Sequence, residues 1–254
     1  MENDLTPALQ QLAEQGRAAA AVIGLASAEQ KNAALLAAAS GIERASAAIL
    51  AANAVELEQA RAAKMSDGLL DRLRLTPERV QAMADGVRHV AALPDPVGRV
   101  LAAWPRPNGL QIQRVSIPIG VIAMVYESRP NVTADAAALC LKSGNVVMLR
   151  PGRECFASAQ LIAACFAEAL LAVGLPPAAV SMVPSADRAL VTALVQLHGL
   201  IDLVIPRGGP ALQQMMVEQA RVPVLGATLT TLRVMISATV VSRELRPARA
   251  TLRV

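Results

Sequence analysis

Three short segments hold the side chains best suited to chemistry, and each follows an apolar run. Tyr126-Glu127-Ser128-Arg129-Pro130-Asn131 brings a carboxylate, a guanidinium and an amide together. At the mouth of a helix, the Asn131 NH₂ can donate to a developing oxyanion while the helix's backbone amides add partial positive charge. Asn131 can equally be no more than an N-cap. Arg129 can hold a substrate carboxylate in a forked pair, or can simply neutralise Glu127 nearby. Arg150-Pro151-Gly152-Arg153-Glu154 sets two guanidiniums around a glycine. Such a loop suits the ribose and phosphates of a nucleotide, because glycine permits close approach and Arg pairs with phosphate. A solvated turn reads the same way. Pro206-Arg207-Gly208-Gly209 has the same character, glycines at a helix start beside a cation. Two such loops at one sheet edge favour a nucleotide site over a pair of solvated turns.

Other familiar chemistries are missing. Neither G-x-G-x-x-G nor G-x-x-x-x-G-K-S/T occurs, so an ordinary Rossmann fingerprint and a P-loop are excluded. His89 and His198 stand alone without metal-ligand spacing, and no metal site is expected. No Ser-His-Asp arrangement is suggested. Cys140 and Cys165 fall in apolar helical stretches, where a thiol behaves as a small hydrophobe. Cys155 lies close to Arg153, a charge that can lower a thiol pKa, but its place in the phosphate-type loop argues against a nucleophile.

The elements that must position these groups change along the chain. The first hundred residues read as helices: one over 5–24, a long one capped by Ser27 with Gln30 and running to about Ala63, and one opened by Thr76-Pro77-Glu78 and reaching about Ala92. Residues 98–118 alternate apolar and polar around Pro105-Arg106-Pro107-Asn108-Gly109, which predicts an exposed β-hairpin. Such a hairpin can pair subunits or stand as a ribbon without a partner. From Pro118 onward strands and helices alternate. Strands are predicted at 121–125, 145–149, 180–183, 200–205 and 222–225, with helices at 132–141, 156–173, 187–197 and 209–220. That alternation predicts a doubly wound parallel α/β sheet. Ligands bind beyond the carboxyl ends of such strands, which selects the loops at 126–133, 150–155, 184–187 and 206–209.

Composition narrows the class further. Of 254 residues 54% are apolar and 17% charged, with one Trp, one Tyr and two Phe, so the core is built from aliphatic side chains and Met. The lack of rings argues against a stacking surface for nucleic acid or carbohydrate. No apolar run reaches the roughly 18 residues of a membrane span without a charge. With its polar, acidic start and three cysteines, the chain is expected to be a soluble cytoplasmic protein with reduced thiols. The net charge of +4 lies wholly in residues 227–254, where Arg233, Arg243, Arg246, Arg249 and Arg253 face Glu244 alone. A basic tail can bind phosphate polymers weakly, but it reads better as text foreign to the rest of the chain.

The motifs themselves carry a resemblance. Val115-Ser116-Ile117-Pro118-Ile119-Gly120-Val121-Ile122, Tyr126 to Thr133, and Cys140-Leu141-Lys142-Ser143-Gly144-Asn145 resemble the gamma-glutamyl phosphate reductase family. That family belongs to the aldehyde dehydrogenase superfamily. Leu70-Asp71-Arg72-Leu73, Leu75-Thr76-Pro77, Asp95-Pro96-Val97-Gly98 and Ile205-Pro206-Arg207-Gly208-Gly209 extend the likeness, in order, over residues 5–226. It implies an aldehyde dehydrogenase-type fold and an NAD(P)-binding domain over 1–226. It also implies reduction of L-glutamyl 5-phosphate to glutamate 5-semialdehyde with NADP(H), in proline synthesis, through a cysteine thioester. Asn131 would be the oxyanion-hole donor, and Arg150 and Gly152 would face the adenosine ribose and its extra phosphate. Ser185, Arg207, Gly208 and Gly209 would line the cofactor cleft, and Glu127 and Arg129 the substrate side. The expected partners are a small-molecule substrate and further copies of the chain, with neither membrane nor nucleic acid.

The likeness stops after Val222-Pro223-Val224-Leu225-Gly226. The family continues there with a glycine-rich run and later the domain that holds the nucleophilic cysteine. Residues 227–254 contain no glycine, lysine, aspartate or cysteine, but five arginines and five threonines. A change of reading frame near codon 227 is the expectation, together with a truncated chain that lacks reductase activity. Translating the gene beyond that codon in the other frames checks it, since absence of family sequence there refutes it.

Overall fold

A computed structural model of the chain describes residues 6–225 and 244–245. Four parallel strands form the central sheet: β3 (Val121–Tyr126), β4 (Val146–Arg150), β5 (Val180–Met182) and β6 (Leu203–Arg207), in the spatial order β5-β4-β3-β6. Every residue of β3 and β4 is buried, as an unbroken apolar run requires when helices cover both faces. The crossovers are α6 (Asn131–Lys142), α7 (Phe156–Ala172), α8 (Ala189–Val195) and α9 (Pro210–Gln219). The predicted doubly wound α/β fold is therefore present. The fifth strand is reduced to one parallel bridge, Val204 to Val224. Pro223 has no N–H to donate, and the Arg221 N–H turns away to the Val195 carbonyl, so the ladder cannot extend.

Five helices precede the sheet. In α1 (Thr6–Ile23), Leu9, Ala13, Gly16, Ala19 and Ile23 form one buried stripe at helical spacing. It lies against the sheet, where a Cβ on Gly16 would stand 3.5 Å from the Val146 side chain. Ser27 and Gln30 make the expected capping box at the start of α2 (Ala28–Arg44). The expected single helix to about Ala63 is broken at Ala45, and α3 (Ser46–Ala62) departs at 63°. Its buried side chains explain the break. Glu56 accepts from the Ser158 N–H (3.0 Å) and hydroxyl (2.6 Å) at the start of α7, capping that helix from a distance. Asn53 donates to the Leu73 carbonyl (2.9 Å) and accepts from the Leu75 N–H (2.7 Å). A straight helix would carry both residues away from these partners.

The Asn53 bonds fix a helix that periodicity missed, α4 (Asp67–Leu73), and its connection to α5 (Pro77–Ala92). Thr76 caps α5 as expected, accepting from the Arg79 N–H. With only seven residues, α4 is too short for apolar spacing to reveal. Among the described residues, the stretch Arg153–Ala172 is long and apolar enough to cross a membrane, but here it packs beneath α2 and α3 and against β5.

The predicted hairpin is β1 (Val100–Pro105) paired antiparallel with β2 (Gln111–Val115), and it exposes Val100, Leu101 and Trp104. The tail over 227–254 lies outside the described residues, except that Glu244–Leu245 (β7) pairs with β2 through Arg114 and Gln113.

Candidate functional site

The chain crosses from β3 to β4 and β5 on one side, then returns to place β6 on the other side of β3. A crevice must open where the direction reverses, at the carboxyl ends of these strands. Two depressions flank the segment after β3, which forms the wall between them. One, of about 670 Å³, is lined by Glu127, Ser128, Arg150, Gly152, Arg153 and Glu154, with Asp187 and Arg188 opposite. The other, of about 390 Å³, is lined by Arg72, Arg74, Arg79, Arg129, Asn131 and Asp135.

In the larger cavity Arg150 ends β4 and is 6% exposed. Its Nη2 donates to the Ala186 carbonyl at 2.8 Å and the Asp187 carbonyl at 3.3 Å, while its buried Nε has no partner among the described residues. Burial lowers the guanidinium's pKa, an effect opposed by the nearby carboxylates of Glu154 and Glu127. A buried donor left unpaired costs free energy, and among the described residues nothing supplies the missing acceptor. Glu154 accepts from the Ser128 N–H (2.6 Å) and hydroxyl (2.7 Å), holding Ser128 at φ +50°. The same carboxylate lies so near Gly152 that a Cβ there would collide with it. Ser185 sits beside this cavity, its hydroxyl accepting from the Asp187 N–H.

Glu127 does not share a cavity with Arg129. Its carboxylate turns toward β6 and accepts from the Gly209 N–H at 3.2 Å, and its own N–H donates to the Arg207 carbonyl. A Cβ on Gly208 would fall 2.7 Å from the Glu127 Oε2. No Arg129–Glu127 ion pair forms among the described residues. Burial lowers the Arg129 pKa, and the charges of Arg207 and Arg72 add to the effect. Asn131 is the first residue of α6, and its side chain caps nothing; the simple N-cap reading is thus set aside. Its Nδ2 instead donates to Asp135 Oδ2 at 3.3 Å, and among the described residues its second N–H has no partner. Burial raises the Asp135 pKa, against the Arg207 charge and the Asn131 hydrogen bond. Arg72, Arg74 and Asp135 were missed because nothing local in the sequence ties them to Arg129.

The cysteines are all buried. Arg153 does not activate Cys155: burial, reinforced by the Glu154 charge, pushes that thiol up to about 12. Cys140 is pushed up to about 12 and Cys165 to about 11, in both cases chiefly by burial. In the unfolded chain these thiols ionise near 9, whereas in the fold they hold their protons. Their contribution to stability is therefore complete below about pH 9 and lost as pH rises from there toward about 12. Urea unfolding at a series of alkaline pH values should show this decline, and Cys140→Ala should make it shallower.

Residues 7–230 match the aldehyde dehydrogenase family. Gamma-glutamyl phosphate reductase of Rhodopseudomonas palustris (strain HaA2) is 50% identical over 222 residues, covering 87% of this chain and 52% of that protein. The crystal structure of the Thermotoga maritima gamma-glutamyl phosphate reductase superposes with a TM-score of 0.83 at 39% identity, covering 85% of this chain and 52% of that one. The Saccharomyces cerevisiae enzyme of the same name gives a TM-score of 0.81 at 32% identity, with 85% and 55% covered. The chain spans about half the length of the curated relatives it matches.

Proposed function

The chain belongs to the aldehyde dehydrogenase family, and on that premise we propose that it carries the dinucleotide-holding part of a gamma-glutamyl phosphate reductase. Such an enzyme reduces L-glutamyl 5-phosphate to L-glutamate 5-semialdehyde with NADPH, in proline biosynthesis. The observation that supports this best is Arg150, a buried guanidinium with an orphaned Nε at the edge of a cavity of about 670 Å³. Cavities of roughly this size, 300–1,000 Å³, hold small ligands and cofactors. Arg150 would meet the adenosine ribose and the phosphate it bears, with Gly152 allowing backbone approach. Gly208 and Gly209 precede α9 and would let a pyrophosphate approach the backbone there, with Arg207 and Ser185 flanking the same cleft. When bound, the nicotinamide supplies a hydride.

The chain's own groups prepare the substrate side. The Asn131 amide donates to the acyl oxygen and binds it more strongly as negative charge grows there. Arg129 offers a forked donor to an anionic group of the substrate. Glu127, by holding Gly209, keeps the β3 and β6 loops in register. The proposed setting is the cytoplasm, and the exposed hairpin side chains suit pairing between copies of the chain. A second reading, a dinucleotide-binding module without catalysis, is favoured by the three cysteines, none of which is placed to attack a substrate.

Titration with NADPH, followed by nicotinamide fluorescence, tests the cofactor assignment. The chain should bind NADPH, and Arg150→Met should weaken that binding by about tenfold or more, equivalent to ~1.4 kcal/mol. NADH, which lacks the ribose phosphate, should lose much less, so the ratio separates phosphate recognition from a general loss of structure. Equal losses for the two cofactors, or none, would remove Arg150 from the site.

A further inference from the structure

The smaller cavity carries more positive charge than its own carboxylates balance. Arg79 is engaged in holding the α4–α5 connection: it pairs with Asp71 at 3.0 Å and donates to the carbonyls of Asp71 (2.6 Å) and Arg74 (2.8 Å). That pairing also consumes Asp71. Arg72, Arg74 and Arg129 remain, and among the described residues their guanidiniums make no hydrogen bond or ion pair. Among the described residues, with Asp71 engaged, Asp135 is the one carboxylate left lining the cavity, and its Oδ2 accepts from the Asn131 amide. Guanidiniums gathered without counter-ions repel one another, and such a cluster is relieved by an incoming anion. The backbone that presents Arg72 and Arg74 is held rigidly, because fully buried Asn53 pins Leu73 and Leu75 on either side. Little ordering remains to be done when a ligand arrives.

We propose that this cavity is the subsite for the amino-acid end of the substrate, with Arg72 and Arg129 gripping the α-carboxylate and Asp135 taking the α-ammonium. This rests on the reading of the chain as part of a glutamyl phosphate reductase and assigns the residues that recognise its substrate. The charges match: an α-amino acid with an anionic side-chain terminus presents one ammonium and at least two anionic groups. The adjacent Asn131 amide marks where the acyl carbon lies. Arg72 thereby becomes a specificity-determining residue contributed by the helical segment ahead of the sheet.

The test is calorimetric titration of the whole chain with L-glutamate and with glutarate, which lacks the α-amino group. The unaltered chain should bind L-glutamate about tenfold more tightly than glutarate. Asp135→Asn should abolish that preference. Arg72→Gln should weaken L-glutamate by about tenfold or more, with Arg72→Lys recovering part of the loss. Arg72 is exposed, so these variants should fold, and NADPH affinity should stay within about twofold because the residue lies outside the cofactor cavity. Absence of L-glutamate binding, unchanged binding by Arg72→Gln, or a preference that survives Asp135→Asn would each overturn the proposal. Failure of the chain to bind NADPH, with the glutamate pattern intact, would instead remove the dinucleotide reading and leave this subsite standing.

Discussion

Supplied with L-glutamyl 5-phosphate and NADPH, the chain is expected to bind both and to transfer no hydride between them. Thioester chemistry needs a thiolate within reach of the acyl carbon. Cys140, Cys155 and Cys165 are buried, with pKa values pushed up to about 12, 12 and 11. At neutral pH a thiol with a pKa near 12 is ionised to roughly one part in 10⁵. Cys155 comes nearest to the candidate site, but its sulfur is buried, donates to the Gly152 carbonyl at 3.7 Å and lines neither cavity. The assay is loss of nicotinamide absorbance, and in reverse its gain when the semialdehyde, inorganic phosphate and NADP⁺ are supplied. Native-state labelling with iodoacetamide should leave all three thiols unmodified until the chain is unfolded. Turnover that disappeared in Cys155→Ala would identify that sulfur as the nucleophile and defeat the expectation.

Gly120→Ala should cost ~3–5 kcal/mol, a large share of the ~5–15 kcal/mol that holds a typical domain together. Gly120 has φ +125°, a region closed to side-chain-bearing residues. An added Cβ would collide with the Asp202 carboxylate, which the Val121 N–H (2.8 Å) and Arg17 (2.8 Å) hold in place. The backbone cannot yield either. The Gly120 N–H donates to Asn145 and its carbonyl accepts from Val146, so the glycine joins the starts of β3 and β4. Gly86→Ala is the matched control. It lies on the exposed face of α5 with open space around its Cβ position, and should stabilise by ~0.5–1 kcal/mol. Urea midpoints of the two variants should therefore move in opposite directions. A Gly120→Ala chain as stable as the parent would show that the turn relaxes.

Much of this architecture could be read from residue patterns because the deciding interactions are local. The buried runs Val121–Val125 and Val146–Leu149 announce strands, and Ser27 with Gln30 announces a helix start whose bonds lie three residues apart. The break at Ala45 was illegible for the opposite reason. It is imposed by Glu56 reaching Ser158, and by Asn53 reaching Leu73 and Leu75, and helical periodicity is silent about such partners. The site divides the same way. Arg150 ends β4, and Gly152 and Asn131 lie on the connections that leave β4 and β3, so the rule for strand ends selects them. Arg72 does not, because its approach to Arg129 depends on how an entire helical layer folds back over the sheet. The division of labour between Glu127 and Arg129 also escaped, since it depends on which way one short loop turns.

That loop has a consequence of its own. Glu127 and Ser128 belong to one cavity, Arg129 and Asn131 to its neighbour, and a single stretch of backbone joins them. Ser128 sits in a left-handed conformation secured by Glu154. Any molecule that draws Glu154 aside frees the peptide that aims Arg129. A ligand that did so would be expected to change affinity on the other side, and thermodynamic reciprocity would make the influence equal in both directions.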